Sequence, residues 1–261
     1  MNIIHTFVVL AYKESPYLEE CIKSVLKQEY ESKVLIATTT DNDFIRNLAK
    51  KYNLKVIVGN HTNIGGDFDF AIKCGNTPLV TIAHQDDIYD NHYSKKVVDE
   101  YLKNKQSSII FTDYYEIRNN DKVYKNKNLI IKRILLTPLK FKILHDKKWA
   151  KRFVLRFGNA ISCPAVTFNK EIIEFPVFEY DMTCDIDWHA WEVLSKKKGS
   201  FIFINKCLMG HRVHEDSETT KTISENRRTK EDLEIFKRFW PEWFAKQINK
   251  FYSKSEESND V

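Results

Sequence analysis

The chain has 261 residues, 43% of them hydrophobic and 13% aromatic, with 30% charged and a formal net charge of +5. That length buries a core without disulfide or metal staples, and that composition excludes a disordered or fibrous chain. The five cysteines, Cys21, Cys74, Cys163, Cys184 and Cys207, are odd in number, scattered and never spaced C-x-x-C. They argue against a disulfide framework and a zinc site and point to a reducing compartment. The opening MNIIHTFVVLAYKES has no basic leader, and its apolar run is too short to span a membrane. A cytoplasmic protein without a transmembrane anchor is expected.

In chain order, apolar runs alternate with amphipathic segments, the pattern of a mostly parallel sheet flanked by helices. HTFVVLAY reads as a buried strand. Ser15 then caps a helix, with Pro16 and Glu19 suited to its first turn and Leu18, Ile22, Val25 and Leu26 recurring at helical spacing. KVLIAT is the second strand, DFIRNLAKKY the second helix and KVIVG the third strand. The glycine-containing loop NHTNIGGD leads to a short helix ending at Cys74 and Gly75. LVTIA is the fourth strand, NHYSKKVVDEYLKN a helix and SSIIFTDYYEI the next strand.

From about Asn120 the alternation gives way to a basic stretch, where twelve Lys or Arg and a single acid, Asp146, stand between Lys122 and Arg156. The pattern resumes with AISCPAVTFN as a strand, DWHAWEVLSKKKG as a helix and SFIFIN as a strand. Glu225 to Phe251 reads as one or two amphipathic helices interrupted at Pro241, and SKSEESNDV as a loose polar tail.

Ligands of open α/β sheets bind outside the carboxyl ends of the strands. Three such ends carry polar residues, Tyr12 to Glu14, Thr38 to Asp43 and His84 to Asp87, and are expected to converge. No G-x-G-x-x-G follows the first strand, and no G-x-x-x-x-G-K-[ST] is present, which argues against dinucleotide oxidoreductases and P-loop enzymes. What remains is a strand ending in adjacent aspartates. Like charges side by side repel unless a cation or partner shares them, so the pair is a solvated turn or a seat for a hard cation held with phosphate oxygens.

Here the chain resembles the family 2 glycosyltransferases of the GT-A fold. FVVLAYKESPYLEECIKSVLKQEY is similar to the family's opening, NIGGDFDFAIKCG to the loop and helix before the metal strand, and TIAHQDDIYD to the aspartate motif. FTDYYEI, GNAISCPAVTFNK, CDIDWHAW and HRVHEDSETT resemble the later pieces in the right order, over roughly residues 5 to 220. The resemblance implies a GT-A Rossmann-like α/β fold with a smaller acceptor-side region and C-terminal helices. Its expected division is a donor half at 1–118, a basic insertion at 119–157, an acceptor and catalytic half at 158–220, a helical segment at 221–252 and a flexible tail at 253–261.

The resemblance also implies inverting transfer of a sugar from a nucleotide diphosphate, UDP foremost, with Mn²⁺ or Mg²⁺. The acceptor would be a glycan hydroxyl, lipid-linked in a bacterial surface polysaccharide. Carried over by position, Asp86 and Asp87 contact the metal, with His214 as a further ligand, and Asp185 is the general base with Asp187 as runner-up. Ala11, Tyr12, Glu14, Thr38, Asp41, Gly65, Gln85, Asp86, His211 and Arg212 fall at the donor, and Trp188 at the acceptor sugar.

Each role has a plainer counterpart. Acids are favoured at a helix N-terminus whatever their chemistry, which suffices for Asp187, and core packing suffices for Trp191. The family often grips the nucleoside with aspartates where this chain has Thr38 and Thr39, leaving Asp41 or Asp43 to substitute or the contact weaker. His84 stands where the aspartate motif commonly begins with an acid. The basic stretch from Lys122 to Arg156 is compatible with an anionic membrane, a diphospholipid-linked acceptor or a solvated insertion. A non-catalytic GT-A module is the second reading. No nucleic-acid partner is expected, and the oligomeric state is left open.

Overall fold

The computed structural model describes residues 2–61, 63–178, 181–214 and 227–257, the last four of these by main chain alone. Its first half runs β1 (His5–Ala11), α1 (Leu18–Leu26), β2 (Lys33–Thr38), α2 (Asp43–Lys51), β3 (Lys55–Val58), α3 (Ile64–Cys74), β4 (Leu79–His84), β5 (Ile88–Tyr89) and α4 (Tyr93–Lys103). Then come β6 (Ser107–Arg118), β7 (Asp121–Val123), α5 (Lys127–Leu135), α6 (Lys148–Phe153), β8 (Val166–Asn169) and α7 (Ile186–Lys196). β9 (Ser200–Val213), α8 (Arg227–Lys237) and α9 (Glu242–Glu257) complete the described chain.

Among the described residues nine strands form one sheet in the order β3-β2-β1-β4-β8-β6-β9-β5, with β7 beside β6. β3, β2, β1 and β4 are parallel. β8 enters antiparallel between β4 and β6, and β6 and β9 are again parallel. The α/β architecture is the expected one, parallel over β3, β2, β1 and β4 and mixed beyond them.

Helices cover both faces, and β1 shows why. Its Phe7 and Val9 enter a core shared with α1, α2 and α4, while Val8 enters one shared with α3, α7 and α8. A strand buried on both sides reads as a continuous apolar run. Polar groups cross this interior as a ladder that fixes the register. His5 bonds the hydroxyls of Ser32 and Thr81 at 2.8 and 2.9 Å, Thr81 bonds Thr167 at 2.6 Å, and Thr167 bonds the Tyr93 hydroxyl at 3.1 Å. A one-residue slip would orphan these groups in the core.

The sequence expectations shift in four places. α1 starts at Leu18, because the Ser15 hydroxyl accepts from the Tyr17 amide in a turn before it. The glycine pair lies inside α3, not in the loop, since the Asn63 side chain caps the helix by accepting from the Gly66 amide at 2.7 Å. In AISCPAVTFN only the last four residues are strand, for Pro164 lacks an amide and sits in a 3-10 turn, Cys163–Ala165. β9 runs on past SFIFIN to Val213 and pairs with β5, a two-residue strand that immediately follows the aspartate pair.

Candidate active site

The carboxyl ends of β1, β2 and β4 do converge. Gln85 ties the first loop to the third strand end, its amide accepting from Tyr12 N and donating to Tyr12 O, both at 3.0 Å. Ala11 is buried beneath this tie, while Tyr12 and Glu14 are exposed. After β2, the buried Thr38 accepts from the Thr40 amide at 3.0 Å, and Thr40 in turn accepts from Lys13 N.

Asp41 does not face this loop pair, because both its oxygens hold Arg46 of α2 at 2.7 Å. Asp67, in the first turn of α3 beside the buried Gly65, does. One of its oxygens accepts from Thr39 at 3.4 Å, and the other is buried without a partner among the described residues. Burial lifts Asp67 above the usual carboxylate range.

The aspartate pair divides its work. Asp87 is fully buried, and its Oδ1 accepts from the Arg212 amide at 2.9 Å and pairs with His211 Nδ1 at 3.1 Å, joining β4 to β9. Asp86 keeps about a quarter of its side chain in solvent and meets His214 Nε2 at 3.0 Å. Burial pushes Asp86 up, but the bond to His214 and the nearby His84 and His211 carry it below the ordinary range. For His211, burial pulls down and the Asp87 and Asp86 carboxylates outweigh it, so its pKa is raised.

Arg212 is spent on the framework. Its guanidinium holds Glu20 at 2.6 Å and the Asp86 carbonyl at 3.0 Å and lies 4.3 Å over the Tyr17 ring. His84 packs its ring 5.2 Å from Phe68, with a buried Nε2 that has no partner among the described residues.

Asp185 occupies the N-cap of α7 and is 2% exposed. The neighbouring helix α8 builds its seat: the Glu231 carboxylate accepts from the amides of Thr183, Cys184 and Asp185 at 2.8–3.2 Å. Burial and the facing Asp232 carboxyl push Asp185 well above the carboxylate range, with Arg228 opposing. Asp187 accepts from Asn159 at 2.9 Å and from the Trp188 amide at 2.7 Å, and burial raises it too.

Trp188, expected at the acceptor, is fully buried, donates to Leu155 O at 3.0 Å and packs 5.0 Å from Phe236. It offers no ring face to a sugar. Residues 215–220 of the HRVHEDSETT motif lie outside the described residues.

Two groups join the halves. Lys132 of α5 donates to the Tyr114 hydroxyl at 3.0 Å and lies within the fields of both Asp187 and His211. Burial pulls its pKa down, but Tyr114 and Asp187 carry it above the ordinary lysine value. The buried Cys163 thiol is raised by burial and then by Asp187 and Asp87 together. A cation thus lies within the fields of both Asp187 and His211.

Among the described residues no three His, Cys, Asp or Glu side chains converge as a ready metal cage. Asp86 and His214 still fit a divalent ion that takes its remaining oxygens from a diphosphate, since a partly solvated carboxylate and an imidazole suit Mn²⁺ or Mg²⁺. Such an ion must displace the hydrogen bond that joins them.

Sequence reasoning missed Asp67, Lys132, Glu231 and Asp232. Lys132 is one lysine among many in its stretch. Asp67 stands at the end of the glycine loop in the sequence, although its place four residues after the cap Asn63 puts it in a helical first turn. Glu231 and Asp232 carry no local signal, because they act on a helix some forty residues away.

A search of curated proteins gives no match. Among solved structures, S. aureus TarS 1-349 in complex with UDP-GlcNAc is similar at a TM-score of 0.62 and 15% identity, over 95% of this chain and 70% of that one. Mannosyltransferase PcManGT from Pyrobaculum calidifontis, in complex with GDP-Man and Mn2+, has a TM-score of 0.62 at 14% identity, over 94% and 69%. Against the longer structure of S. aureus TarS the TM-score is 0.59 at 14% identity, and the chain spans 42% of it. The family described as Glycosyl transferase family 2 matches residues 6–165, more than half of the sequence. The chain therefore belongs to that family and is a glycosyltransferase with a GT-A type fold.

Proposed function

We propose that the protein transfers a sugar, with inversion, from a UDP-linked donor to a hydroxyl of a glycan acceptor. The observation that carries this reading is Asp185, a buried N-cap carboxyl raised above its ordinary pKa, two residues before Asp187, whose field and that of His211 both meet the cationic Lys132. An ordinary carboxylate is a weak base at neutral pH, and raising its pKa strengthens it. Asp185 takes the acceptor hydroxyl's proton as that oxygen attacks the anomeric carbon, and the bond to the donor's diphosphate breaks with its electron pair on the leaving oxygen. Lys132 and His211 meet the charge that develops there. Asp187 is held by Asn159 and orients the approach.

Mn²⁺ or Mg²⁺, bound by Asp86 and His214, would neutralise diphosphate charge as a Lewis acid. The Gln85 tie sets the Tyr12 loop against the nucleotide, and relatives crystallised with UDP-GlcNAc and with GDP-Man support a nucleotide-sugar donor. The acceptor is a lipid-linked oligosaccharide of a bacterial surface polysaccharide, met at the inner face of the membrane through residues 122–156. The contact proposed there is peripheral; among the described residues no helix is long and apolar enough to cross a membrane.

The test is substitution of Asp185 by Asn. Transfer is expected to vanish while UDP binding, measured calorimetrically with Mn²⁺, stays within about twofold of wild type. Transfer at a near wild-type rate sinks the base assignment. A second reading, a non-catalytic module that binds nucleotide sugar or glycan, draws on Thr38 being buried and Asp41 being taken by Arg46. Absence of binding to any nucleotide, with or without metal, would favour it.

A further inference from the structure

The basic stretch has two unlike parts. α5 turns Lys132 and Arg133 inward, to Tyr114 and Asp113. The part around α6 instead meets the corner between α8 and α9 and forms a surface of its own. Its rings make a continuous chain: Phe153 to Phe157 at 6.5 Å, Phe157 to Trp240 at 5.3 Å, Trp240 to Phe244 at 4.9 Å and Phe244 to Trp243 at 5.4 Å. Trp243 is 70% exposed, and Trp149 on the same side 59%. At the centre the Arg156 guanidinium lies 4.3–5.0 Å from the rings of Phe153, Phe157 and Trp240, with its Nε buried and unpartnered among the described residues. Beside it opens a cavity of about 590 Å³, lined by Lys147, Lys148, Arg152, Arg156 and Phe239 among others. In the turns just before α6, Phe141 and Ile143 stand 60% and 77% exposed, alternating with Lys140 and Lys142.

A cluster of exposed aromatic side chains on a folded chain marks an interaction surface. Its chemistry here is that of a bilayer's headgroup layer, where indole rings settle and lysine and arginine reach the lipid phosphates. A soluble polyanion would meet the cations but leave Phe141 and Ile143 in water. An acyl boundary takes both. We propose that this α6 corner, and not α5, docks the protein on an anionic phospholipid bilayer, with a lipid phosphate in the cavity by Arg156. The inference sharpens the peripheral contact of the preceding section, on which it rests, and commits it to a place.

Sedimentation of the full chain with vesicles tests it, using phosphatidylcholine alone or mixed with phosphatidylglycerol. Wild type is expected to bind the mixed vesicles and not the neutral ones. Reversing Lys147→Glu and Lys148→Glu together should weaken binding roughly tenfold or more, as should Trp149→Ser with Trp243→Ser. Arg156→Gln should lower the preference for anionic lipid. The α5 pair Ile130→Ser and Ile134→Ser should bind as wild type does, and unchanged melting temperatures would show that all variants fold. If the α5 pair loses binding while the corner variants keep it, the place is wrong though peripheral contact stands. If wild type fails to sediment, or binds only a soluble polyanion such as heparin, both ideas fall, and transfer to a short soluble acceptor separates that outcome from loss of the enzyme reading.

Discussion

Asp185 on α7 faces Asp232 on α8, and both carboxyls are shielded, at 2% and 0% exposure. Two buried acids cannot both ionise cheaply, so the pairing, after burial itself, sets where Asp185 titrates. Arg228 opposes the shift, and Glu231 holds the Asp185 amide from the same helix. The proposed base is thus governed by α8, which sets Arg228, Glu231 and Asp232 around it.

Replacing Asp232 by Asn should therefore move the acid limb of the kcat–pH profile to lower pH, because one repulsive charge is gone. The sign for stability follows the same logic. With its folded-state pKa raised, Asp185 keeps a proton that the unfolded chain releases near pH 3.9, so its favourable share is present at low pH and lost as pH rises through the raised value. Asp185→Asn should raise the melting temperature at neutral pH even as it removes transfer. An acid limb that stays put in Asp232→Asn would detach the pair from catalysis.

Asp86 and Asp87 should separate on substitution. Asp86→Asn is expected to abolish the Mn²⁺ dependence of UDP binding with little change in melting temperature, as its side chain is partly solvated. Chelation of wild type should mimic it. Asp87→Asn should instead lower stability by about 2–3 kcal/mol, because the fully buried carboxylate that holds Arg212 N and His211 becomes a poorer acceptor. Equal effects of the two on stability, read by denaturant melts, would contradict this division.

Asp67 should behave as a ligand group held at a cost. Its carboxylate is desolvated, with one oxygen unpartnered among the described residues, so Asp67→Asn should leave stability unchanged or improved. It should weaken nucleotide binding about tenfold, the worth of one charged hydrogen bond. Weaker folding with unaltered nucleotide affinity would assign Asp67 to the scaffold.

His5 predicts acid sensitivity of the sheet. Burial drops its pKa from 6.5 to about 3. Between those values the unfolded chain binds a proton that the folded chain refuses, so this contribution is full above pH 6.5 and declines as pH falls. Unfolding free energies measured across that range should show the decline, and His5→Gln should flatten it.

Much of the donor half was readable because its signals are local. Continuous apolar runs such as HTFVVLA can only be doubly covered strands, and KVLIAT appears as β2 with the bounds expected. The meeting of Tyr12, Thr38 and His84–Asp87 follows from parallel strands sharing one carboxyl edge. The acceptor side was less legible. Trp188 and the acids of α7 have the same one-dimensional pattern whether they face a sugar or a core, and only the packing of Phe236 against the Trp188 ring decides for the core.

What the sequence determined by itself is the α/β alternation, the carboxylate-ended strand and the order of the family motifs, all written within spans of about a dozen residues where periodicity and turn chemistry act. What the tertiary structure decided is which charges meet. The Asp185–Asp232 pairing, the Lys132 bridge to Asp187 and His211 and the Thr39–Asp67 contact join residues 28 to 79 positions apart. Their electrostatics depend on burial and separation, quantities that chain position does not encode. For His84 the fold supplies a ring contact with Phe68 and a buried nitrogen with no partner among the described residues, because β4 ends where α3 packs against it.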